Sequence, residues 1–557
     1  MSAMETISTD ILVVGAGPTG LTLANILGQG NVATMLIDRK ESTIGEPRAV
    51  SIDDESLRTM QAIGLADAVL RDVVAGYGVH YYTEPGGRCF AKVEPSASEY
   101  GHPRRNAFRQ PLFEATLLQG LARHRSVQPR FGHTLESFAQ DAHGVTALVR
   151  RADGGILQVR ARYLVGTDGG RSPVRDMLKI AMAGSTFKSR WLVVDTEEDD
   201  DPFWQTRVYC DARRPVVDVP GPHHTRRYEV LIHPHESAEE AVSEARVAEL
   251  LHPFRQGRPT RIVRKVVYTF HARMAERWRQ GRVFLAGDAA HLTPPYAGQG
   301  LNSGIRDAHN LGWKLVARLD GLLSDQALDS YELERRAHAW SLIKLALNLG
   351  VVMAPRTRLH AWLAHTFFRV AAYVPPVRNY FLQMKFKPKP RYHDGLLGES
   401  DGTDAALRGR MLPQPTVRTA GGEQLLLDEL IGPRFALVSY HATVASLEAA
   451  RSHPPEHRLW RELDPVRIAI VAAHVAPPAG MPDFAVTDIH DSLTGSCAQL
   501  DGQMILLRPD RYVAGVFTPD LQAAFADHYT RRLRGTADAS PATRAAPDPA
   551  PVFKSPS

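Results

Sequence analysis

Three glycines near the amino terminus have the spacing of a dinucleotide-binding turn. They are Gly15, Gly17 and Gly20, in the run Gly15-Ala16-Gly17-Pro18-Thr19-Gly20. The first glycine permits a tight turn, the second lets the backbone approach a pyrophosphate, and the third lets the following helix pack closely on the preceding strand. Asp38 lies further along, where a carboxylate can bind the hydroxyls of a ribose. The pattern predicts a dinucleotide site and does not by itself distinguish FAD from NAD.

Three polar side chains beyond this turn are candidates for contacts with the same ligand. Arg39 directly follows Asp38, and Arg48 lies where the chain is expected to pass back over the ligand. The guanidinium of Arg48 could pair with a pyrophosphate, although a surface arginine is the competing interpretation. Gln110 stands near the start of a predicted helix and could bind a polyol or the edge of a ring.

Two later motifs place carboxylates at the ends of predicted strands. Asp168 and Gly169 follow one apolar run, and Gly287 and Asp288 follow another. Because ligands of open α/β sheets lie at the carboxyl ends of the strands, both aspartates could bind one ligand. A glycine-rich segment then opens a helix, whose backbone N–H groups could stabilise a ring carbonyl that becomes negative on reduction. The residues that we assign to this segment are Pro294, Gly298, Gly300, Leu301 and Asn302.

The elements that must position these residues follow from hydrophobic periodicity. Apolar runs at 11–14, 33–37 and 282–286 predict strands buried on both faces, and helical spacing follows the glycine turn. Residues 187–267 instead show alternating, aromatic-rich strands, which are typical of an antiparallel sheet with one face on a cavity. We interpret this region as a substrate domain inserted between pieces of a nucleotide-binding domain.

The composition is that of an ordinary globular protein. Of the 557 residues, 44% are hydrophobic and 23% are charged, and the formal net charge is +5. No dense run of lysine and arginine is visible, so we expect no nucleic-acid partner. The three cysteines lie far apart, so we assign no metal ligands and no disulfide framework. No apolar run reaches the roughly 18–20 residues that cross a bilayer, so we expect a cytoplasmic protein without a membrane partner.

The order of the three motifs resembles the single-component FAD-dependent aromatic hydroxylases, which have the para-hydroxybenzoate hydroxylase fold. The resemblance covers residues 8–390. The loop Pro295-Tyr296-Ala297-Gly298 agrees with the general family but lacks the tryptophan that the phenylpropionate enzymes carry before Gly-Gln-Gly. Several short runs are nevertheless similar to the 3-(3-hydroxyphenyl)propionate hydroxylases, namely Pro47-Arg48-Ala49, Ile52-Asp53-Asp54-Glu55, Arg104-Arg105-Asn106-Ala107-Phe108, Arg226-Arg227-Tyr228-Glu229 and Arg378-Asn379-Tyr380-Phe381-Leu382.

The resemblance implies an α/β fold with a Rossmann-like FAD-binding domain and an inserted antiparallel-sheet substrate domain. It also implies a C-terminal thioredoxin-like domain without redox cysteines, since Cys497 has no partner for a dithiol. The tail is rich in alanine, proline and serine and is expected to be disordered. We divide the chain into FAD-binding segments 8–76, 104–186 and 268–386, substrate segments 77–103 and 187–267, a linker 387–408, the thioredoxin-like domain 409–535 and the tail 536–557.

The resemblance also implies a reaction. NADH or NADPH reduces FAD, O2 forms a flavin C4a-hydroperoxide, and the distal oxygen attacks a phenol that a base activates. The candidates for this base are Tyr209, His233 and Tyr296. No second nucleotide-binding motif is visible, so we expect the nicotinamide to bind transiently, and a homodimer is the candidate assembly.

The substrate expected from the resemblance is a phenol with a carboxylate side chain, hydroxylated ortho to its hydroxyl group. A carboxylate is well held by a guanidinium. The candidate arginines of the substrate domain are Arg207, Arg213, Arg214, Arg226 and Arg227. Two alternatives stay open: an FAD oxidoreductase of the same fold that performs epoxidation or ring expansion on a non-phenolic substrate, and a flavoprotein scaffold without catalytic activity.

Overall fold

The computed structural model describes residues 5–255, 257–258, 260–399, 407–443, 445–447, 457–475 and 485–535. The predicted disordered tail 536–557 lies outside these described residues, as does part of the predicted linker. Three sheets of seven or eight strands and a smaller three-stranded sheet form the framework.

The central sheet is built around the first strand of the chain. Ile11 to Val14 are buried, and parallel strands flank them on both sides, which explains why this run is continuously apolar. Across the sheet, the strands are Arg279–Gln280, Val283–Leu285, Ile156–Gly166, Glu5–Val14, Thr34–Asp38 and Val127–Phe131, while Val145–Arg150 and Thr134–Gln140 extend it beside Ile156–Gly166.

The register of the parallel strands gathers the predicted motifs at one edge. Val14 lies opposite both Ile37 and Gly166, and Gly166 lies opposite Leu285. The glycine turn, Asp38, Asp168 and Asp288 therefore leave the sheet side by side. The helices of this part of the chain are Pro18–Gln29, Asp54–Ala62, Ala66–Leu70, Gln110–Leu121, Pro173–Met177, Gly300–Leu319 and Ser330–Met353, with short 3-10 helices at Gly287–Ala289, Pro295–Ala297 and Gln326–Asp329.

The second sheet is mainly antiparallel and has two different faces. Its strands are, in order, His291–Leu292, Arg261–Ala275, Met182–Glu197, Thr225–Ile232, Val216–Gly221, Thr206–Tyr209, Val79–Tyr82 and Cys89–Val93. One face packs on the helices Ala238–Ala241 and Glu244–Arg255, and the other lines a cavity. Most of these strands lie within the predicted segments 77–103 and 187–267, although the sheet also includes residues 182–186, 268–275 and 291–292. The domain boundaries stay a prediction.

A small antiparallel sheet and two exposed helices complete this half of the chain. The sheet contains Ser51–Asp53, Arg105–Phe108 and Val73–Ala75. The helices are Arg358–Ala371 and Pro375–Leu382. Within the described residues, no single helix has the length and apolar character needed to cross a bilayer. One bent pair, Gln326–Met353 with Arg358–Ala371 at 107°, meets those criteria only when the two are taken together.

The C-terminal domain has a seven-stranded sheet of its own. The strands are, in order, Gln424–Leu426, Thr416–Thr419, Ala485–Asp488, Val466–Ala472, Ala436–His441, Met504–Leu507 and Val513–Phe517. Cys497 is buried and forms no disulfide. The helices are Leu427–Ile431, Arg458–Leu463, Thr494–Cys497 and Gln522–Arg534, with 3-10 helices at Ala498–Leu500 and Pro519–Leu521.

The start of the predicted linker is packed against the FAD-binding part of the chain. Nζ of Lys387 lies 2.8 Å from Oδ2 of Asp53 and 3.0 Å from Oε1 of Glu55. Arg306 joins the same two carboxylates at 2.9 and 3.0 Å. Lys387, at the start of the predicted linker, therefore contributes a positive charge to a buried acidic cluster.

Candidate active site

One cavity of about 520 Å³ lies between the carboxyl edge of the central sheet and the inner face of the second sheet. Its volume is in the range of small-molecule and cofactor sites. Most of the residues predicted to bind a dinucleotide line it: Gly15, Ala16, Gly17, Pro18, Thr19, Asp38, Arg39, Arg48, Gln110, Asp168, Gly169, Asp288, Gly298, Gly300 and Leu301. Gly20, Gly287, Pro294 and Asn302 lie behind this lining.

The three glycines of the first motif are placed differently around the turn. Gly15 has φ of +109°, and a Cβ there would lie 2.5 Å from the carbonyl oxygen of Thr167. A Cβ at Gly20 would lie 1.9 Å from the carbonyl oxygen of Gly15, so this glycine allows the helix to pack on the turn. A Cβ at Gly17 would meet nothing within 4 Å, because this residue faces the cavity. The site thus leaves room for a ligand beside the helix that begins at Pro18.

Asp38 is held beside this turn by backbone hydrogen bonds. Its Oδ2 accepts from the N–H of Ala16 at 2.8 Å, and its Oδ1 accepts from the N–H of Lys40 at 2.9 Å. The carboxylate therefore also orders the turn itself. Arg48 is exposed at the cavity wall and forms no ion pair with a carboxylate among the described residues, so its guanidinium is available for an anion.

The two later aspartates bring further acceptors to the cavity. Oδ2 of Asp168 accepts from the N–H of Val174 at 3.0 Å, while its buried Oδ1 has no hydrogen-bond partner among the described residues. Burial raises the pKa of Asp168. The Asp288 side chain faces the cavity. Desolvation by the surrounding protein raises the pKa of its carboxyl group, although the charges of His291 and Arg48 oppose that shift. Each carboxyl group has an oxygen available for a ligand hydroxyl.

The side chains of Gln110 and Asn302 form hydrogen bonds with other residues of the protein. Oε1 of Gln110 accepts from the N–H of Ala49 at 2.7 Å, and its amide donates to Glu114 at 2.7 Å. Oδ1 of Asn302 accepts from the N–H of Asp53 and the hydroxyl of Ser56, and its amide donates to the carbonyl oxygens of Ser51 and Gly298. Both residues therefore position the loops that line the cavity, which sequence alone could not distinguish from direct binding.

These features fit FAD. The cavity has open space beside Gly17 and Gly300 and a carboxyl group at Asp288. Within the described part of the chain, Oδ1 of Asp168 has no hydrogen-bond partner and Arg48 has no carboxylate partner. A dinucleotide requires the same set: room at a helix start, a cation for its phosphates and acceptors for its hydroxyls. The loop from Pro295 to Leu301 extends the lining to the start of the helix Gly300–Leu319. Its position suits the ring end of the cofactor.

Two of the three predicted bases are not in the cavity. Tyr209 belongs to the strand Thr206–Tyr209, whose cavity-facing residues are Thr206 and Val208. Side chains alternate along a strand, so Tyr209 points to the opposite face and packs on Phe254, with 4.9 Å between ring centroids. His233 directly follows the strand Thr225–Ile232 and does not line the cavity, and its ring is stacked on that of His235. Neither residue therefore lines the cavity, and the structure does not support either of them as the base.

Tyr296 does line the cavity, but its protonation does not suit a base. Its ring contacts Trp191 and Phe270, each at 5.9 Å between centroids. Burial raises the pKa of Tyr296 to about 12. The phenol therefore keeps its proton near neutral pH and can donate a hydrogen bond rather than accept a proton.

Four of the five candidate arginines are committed to acids away from the cavity. Arg207 pairs with Asp201 and Asp218, Arg213 with Glu84 and Asp211, Arg214 with Glu236, and Arg226 with Asp199 and Asp218. Arg227 lines the cavity but pairs with Asp195 at 2.7 Å and donates to the carbonyl oxygens of Pro47 and Arg48. None of the four paired arginines therefore lies where it could bind the carboxylate of a substrate in the cavity.

The structure identifies two charged cavity residues that the sequence did not single out. The guanidinium carbon of Arg105 lies 4.3 Å from the ring centroid of Tyr77, and among the described residues Arg105 donates one long hydrogen bond, to the carbonyl oxygen of Gly78 at 3.5 Å. Glu229 contributes a carboxylate, and its nearest cation is Arg227 at 3.9 Å. The alternation of the strand Thr225–Ile232 places Glu229 on the same face as Arg227, but only the cavity shows that this face meets the ligand.

Comparison with known proteins defines the class first. A family model of an FAD binding domain matches residues 8–346, and a model of the HcaD C-terminal domain matches residues 409–532. Among solved structures, that of aklavinone-11 hydroxylase with FAD and aklavinone has a TM-score of 0.76 at 26% identity, covering 96% of this chain and 100% of that one. The flavin-dependent monooxygenase PieE, in complex with FAD and substrate, has a TM-score of 0.77 at 23% identity and shares the fold. The chain is an FAD-dependent monooxygenase.

Two sequence relatives identify the family more narrowly. A 3-(3-hydroxy-phenyl)propionate/3-hydroxycinnamic acid hydroxylase of Mycolicibacterium smegmatis is 40% identical over 516 residues, covering 91% of this chain and 90% of the relative. The enzyme of the same description from Burkholderia cenocepacia is 39% identical over 551 residues, covering 97% and 100%. The chain belongs to this family of FAD-dependent aromatic hydroxylases. The predicted resemblance, fold class and cofactor are thereby confirmed, and the scaffold alternative is set aside.

Proposed function

We propose that this enzyme hydroxylates a phenol carrying a carboxylate side chain, such as 3-(3-hydroxyphenyl)propionate, ortho to the phenol hydroxyl. The co-substrates are O2 and NADH or NADPH. The chemistry supplied by bound FAD is the transfer of electrons from the nicotinamide to O2 and the delivery of one oxygen atom to the ring. The observation that carries the choice of substrate is the guanidinium of Arg105, which lines the apolar end of the cavity and has no carboxylate partner among the residues that the structure describes.

Arg105 has the surroundings expected of an anchor for an anion. It lines the cavity beside Tyr77 and Tyr81 and forms no ion pair with a carboxylate among the described residues. Most of its N–H donors are therefore available, since its hydrogen bond to a described residue is the long one to the carbonyl oxygen of Gly78. A guanidinium in this position can take a carboxylate in a two-point hydrogen-bonded pair.

The remainder of this end of the cavity is suited to an aromatic ring. Val208 and Val217 line it from the second sheet, and helix and loop residues close it from the other side. The latter are Leu345, Leu349, Met353, Met384 and Phe386. Apolar walls bind the ring by burial and keep water away from the reacting atoms.

A comparison of two substrates tests the proposal. 3-Ethylphenol keeps the ring and the two-carbon arm of 3-(3-hydroxyphenyl)propionate but lacks the carboxylate. Wild-type enzyme should turn over the acid with about 10- to 150-fold higher kcat/KM, the effect of roughly 1.5–3 kcal/mol for a charged hydrogen bond. Hydroxylated product per NAD(P)H consumed must be measured with both compounds, because uncoupled oxidation also consumes the nicotinamide.

A pair of arginine variants locates the anchor. Arg105→Gln should abolish the preference for the acid, mainly through KM. Arg213→Gln, which alters an exposed surface pair of the same domain, should retain it. Equal turnover of the two compounds by wild-type enzyme would contradict the proposed substrate class, whereas an unchanged preference in Arg105→Gln would place the anchor elsewhere.

Three further predictions accompany this function. The nicotinamide binds transiently, and parallel assays with NADH and NADPH will show which is used. Assembly as a homodimer is to be measured by light scattering. A cytoplasmic location stays a prediction from the sequence.

A further inference from the structure

The inner face of the second sheet carries a line of four side chains in register. Glu229 lies opposite Val217, Val217 opposite Val208, and Val208 opposite Tyr81. All four line the cavity. Three steps between neighbouring strands, each of about 4.8 Å, separate the two ends by about 14 Å at the backbone. The sheet thus separates the carboxylate of Glu229 from the Tyr81 end, where Arg105 lies, by two valines.

The Glu229 end is the end nearer the cofactor loop. Glu229 is close enough to Tyr296, in the 3-10 helix Pro295–Ala297, to influence its titration. The same loop leads into Gly298, Gly300 and the start of the helix that suits the cofactor ring. A phenolic acid held by Arg105 through its carboxylate therefore directs its ring and hydroxyl toward Glu229 and the cofactor.

We propose that Glu229 is the base that accepts the proton of the substrate hydroxyl during hydroxylation. This assignment rests on the proposed function. The O–H bond of the phenol breaks, an O–H bond forms on a carboxylate oxygen of Glu229, and the released electron pair moves into the ring. The ring carbon ortho to the hydroxyl then bonds to one oxygen atom derived from O2 as the O–O bond breaks, and loss of the proton on that carbon restores the aromatic ring. NAD(P)H supplies the two electrons that reduce the second oxygen atom to water.

The surroundings of Glu229 favour this role. Its carboxylate forms no hydrogen bond with another described residue, so it is free to accept one from substrate. Burial raises the pKa of Glu229, Arg227 on its own strand opposes the rise, and Asp195 on the neighbouring strand adds to it. A base with a pKa closer to the working pH is more effective. Among the cavity-lining residues that the structure describes in the second sheet, Glu229 is the acidic one.

A chromophoric ligand tests the position of Glu229 without turnover. 3-(5-Hydroxy-2-nitrophenyl)propionate is a nitrophenol whose visible absorbance reports ionisation of its hydroxyl. It is titrated on the FAD-loaded enzyme in the absence of NAD(P)H. The Glu229 carboxylate accepts a hydrogen bond from the neutral phenol and repels the phenolate, so the pKa of the bound ligand should be lower in Glu229→Gln than in wild type. Arg213→Gln serves as the control and should match wild type.

Turnover supplies the second readout. Glu229→Gln should lower kcat about 10²- to 10⁴-fold with 3-(3-hydroxyphenyl)propionate, the usual contribution of a general base, while FAD content and substrate Kd stay near wild type. The loss should shrink for fluorinated phenols, which ionise without help. In wild type kcat/KM should rise with pH through the pKa of Glu229, and this limb should be absent from the variant. Glu229→Asp should recover part of kcat.

Each outcome decides between the assignments. Equal ligand pKa in wild type and Glu229→Gln, or an equal loss of kcat for all phenols whatever their acidity, would overturn the role of Glu229. The neutral analogue 3-ethyl-4-nitrophenol repeats the titration without the Arg105 anchor. A wild-type enzyme that binds this analogue as well as the acid contradicts the proposed substrate class while still testing Glu229. Failure of both ligands to bind would overturn both proposals.

Discussion

Arg508 and Glu334 form a two-point ion pair across the joint between the C-terminal domain and the FAD-binding part of the chain. Nη1 and Nη2 of the arginine lie 2.8 and 2.7 Å from the two carboxylate oxygens, and both side chains are fully buried. Nζ of Lys314 approaches the same carboxylate at 2.7 Å. Burial alone would raise the pKa of Glu334, but Arg508 and Lys314 lower it to about 2. A second buried pair, Arg58 with Asp428, joins the same two parts of the chain.

Replacing this carboxylate should loosen the joint. Glu334→Gln leaves Arg508 and Lys314 with an uncompensated positive charge, and breaking a buried pair in this way costs about 3–5 kcal/mol in the free energy of unfolding. Thermal unfolding at pH 7 should show the loss. Glu136→Gln, which removes an exposed pair with Arg150, is the control and should cost at most about 1 kcal/mol. Similar Tm values for the two variants would mean that the buried pair does not hold the domains together.

The same ion pair has a predicted pH dependence. Since the folded pKa of Glu334 lies below its ordinary value of 4.5, its stabilisation is present above that value and is lost as pH falls toward about 2. The difference in Tm between wild type and Glu334→Gln should therefore be constant from pH 7 to about 5 and shrink below that. A difference that grows on acidification would contradict the assignment.

We expect one FAD per chain, bound tightly without a covalent bond. The cavity would hold the cofactor through the glycine turn and polar side chains, so acid precipitation should release the yellow chromophore into the supernatant. Gly15→Val should abolish binding, because the side chain would meet the backbone of Thr167 and because φ of +109° excludes it. Gly17→Ala should fold as well as wild type and lose only FAD affinity, since its Cβ would enter the cavity. Colour that stays with the precipitate would argue for a covalent bond.

Asp288 should contribute directly to FAD affinity. Its carboxyl group is exposed to the cavity at the end of a strand. Asp288→Ala removes a hydrogen bond of about 1.5–3 kcal/mol, which corresponds to roughly 10- to 150-fold in Kd. Flavin titration of the apoenzyme measures this, with the exposed Asp176→Ala as the control. An unchanged Kd would remove Asp288 from the site.

The thiol of Cys497 should not take part in catalysis. It is buried in the C-terminal domain, away from the cavity, and burial raises its pKa to about 12. Thiolate is the reactive form of cysteine, so this thiol is inert near neutral pH. Cys497→Ser should leave product per NAD(P)H unchanged. A large fall in coupling would show that the C-terminal domain has a chemical role.

The sequence alone was sufficient to predict the fold class, the cofactor and the motifs that form the FAD-binding edge of the central sheet. Gly15, Asp38, Asp168 and Asp288 could be recognised because local patterns, a strand end followed by a turn, define where each stands. Parallel strands then bring their carboxyl ends to one edge whatever the details of packing. The class of fold and the cofactor follow from such local rules, which a single chain displays without its tertiary structure.

The residues of the substrate-binding part of the cavity could be chosen only from the tertiary structure. Tyr209 and Glu229 belong to the same sheet, on strands separated by the strand Val216–Gly221. Because side chains alternate between the two faces of a sheet, Tyr209 lies on the helix-covered face and Glu229 on the cavity face. Arg105 and Glu229 are far apart in sequence, and the register of four strands sets the separation of Glu229 from Tyr81, at the end of the cavity where Arg105 lies. Whether an arginine is free or paired also depends on acids brought from other strands. These relationships are long-range, so the sequence could supply candidate residues but not choose among them.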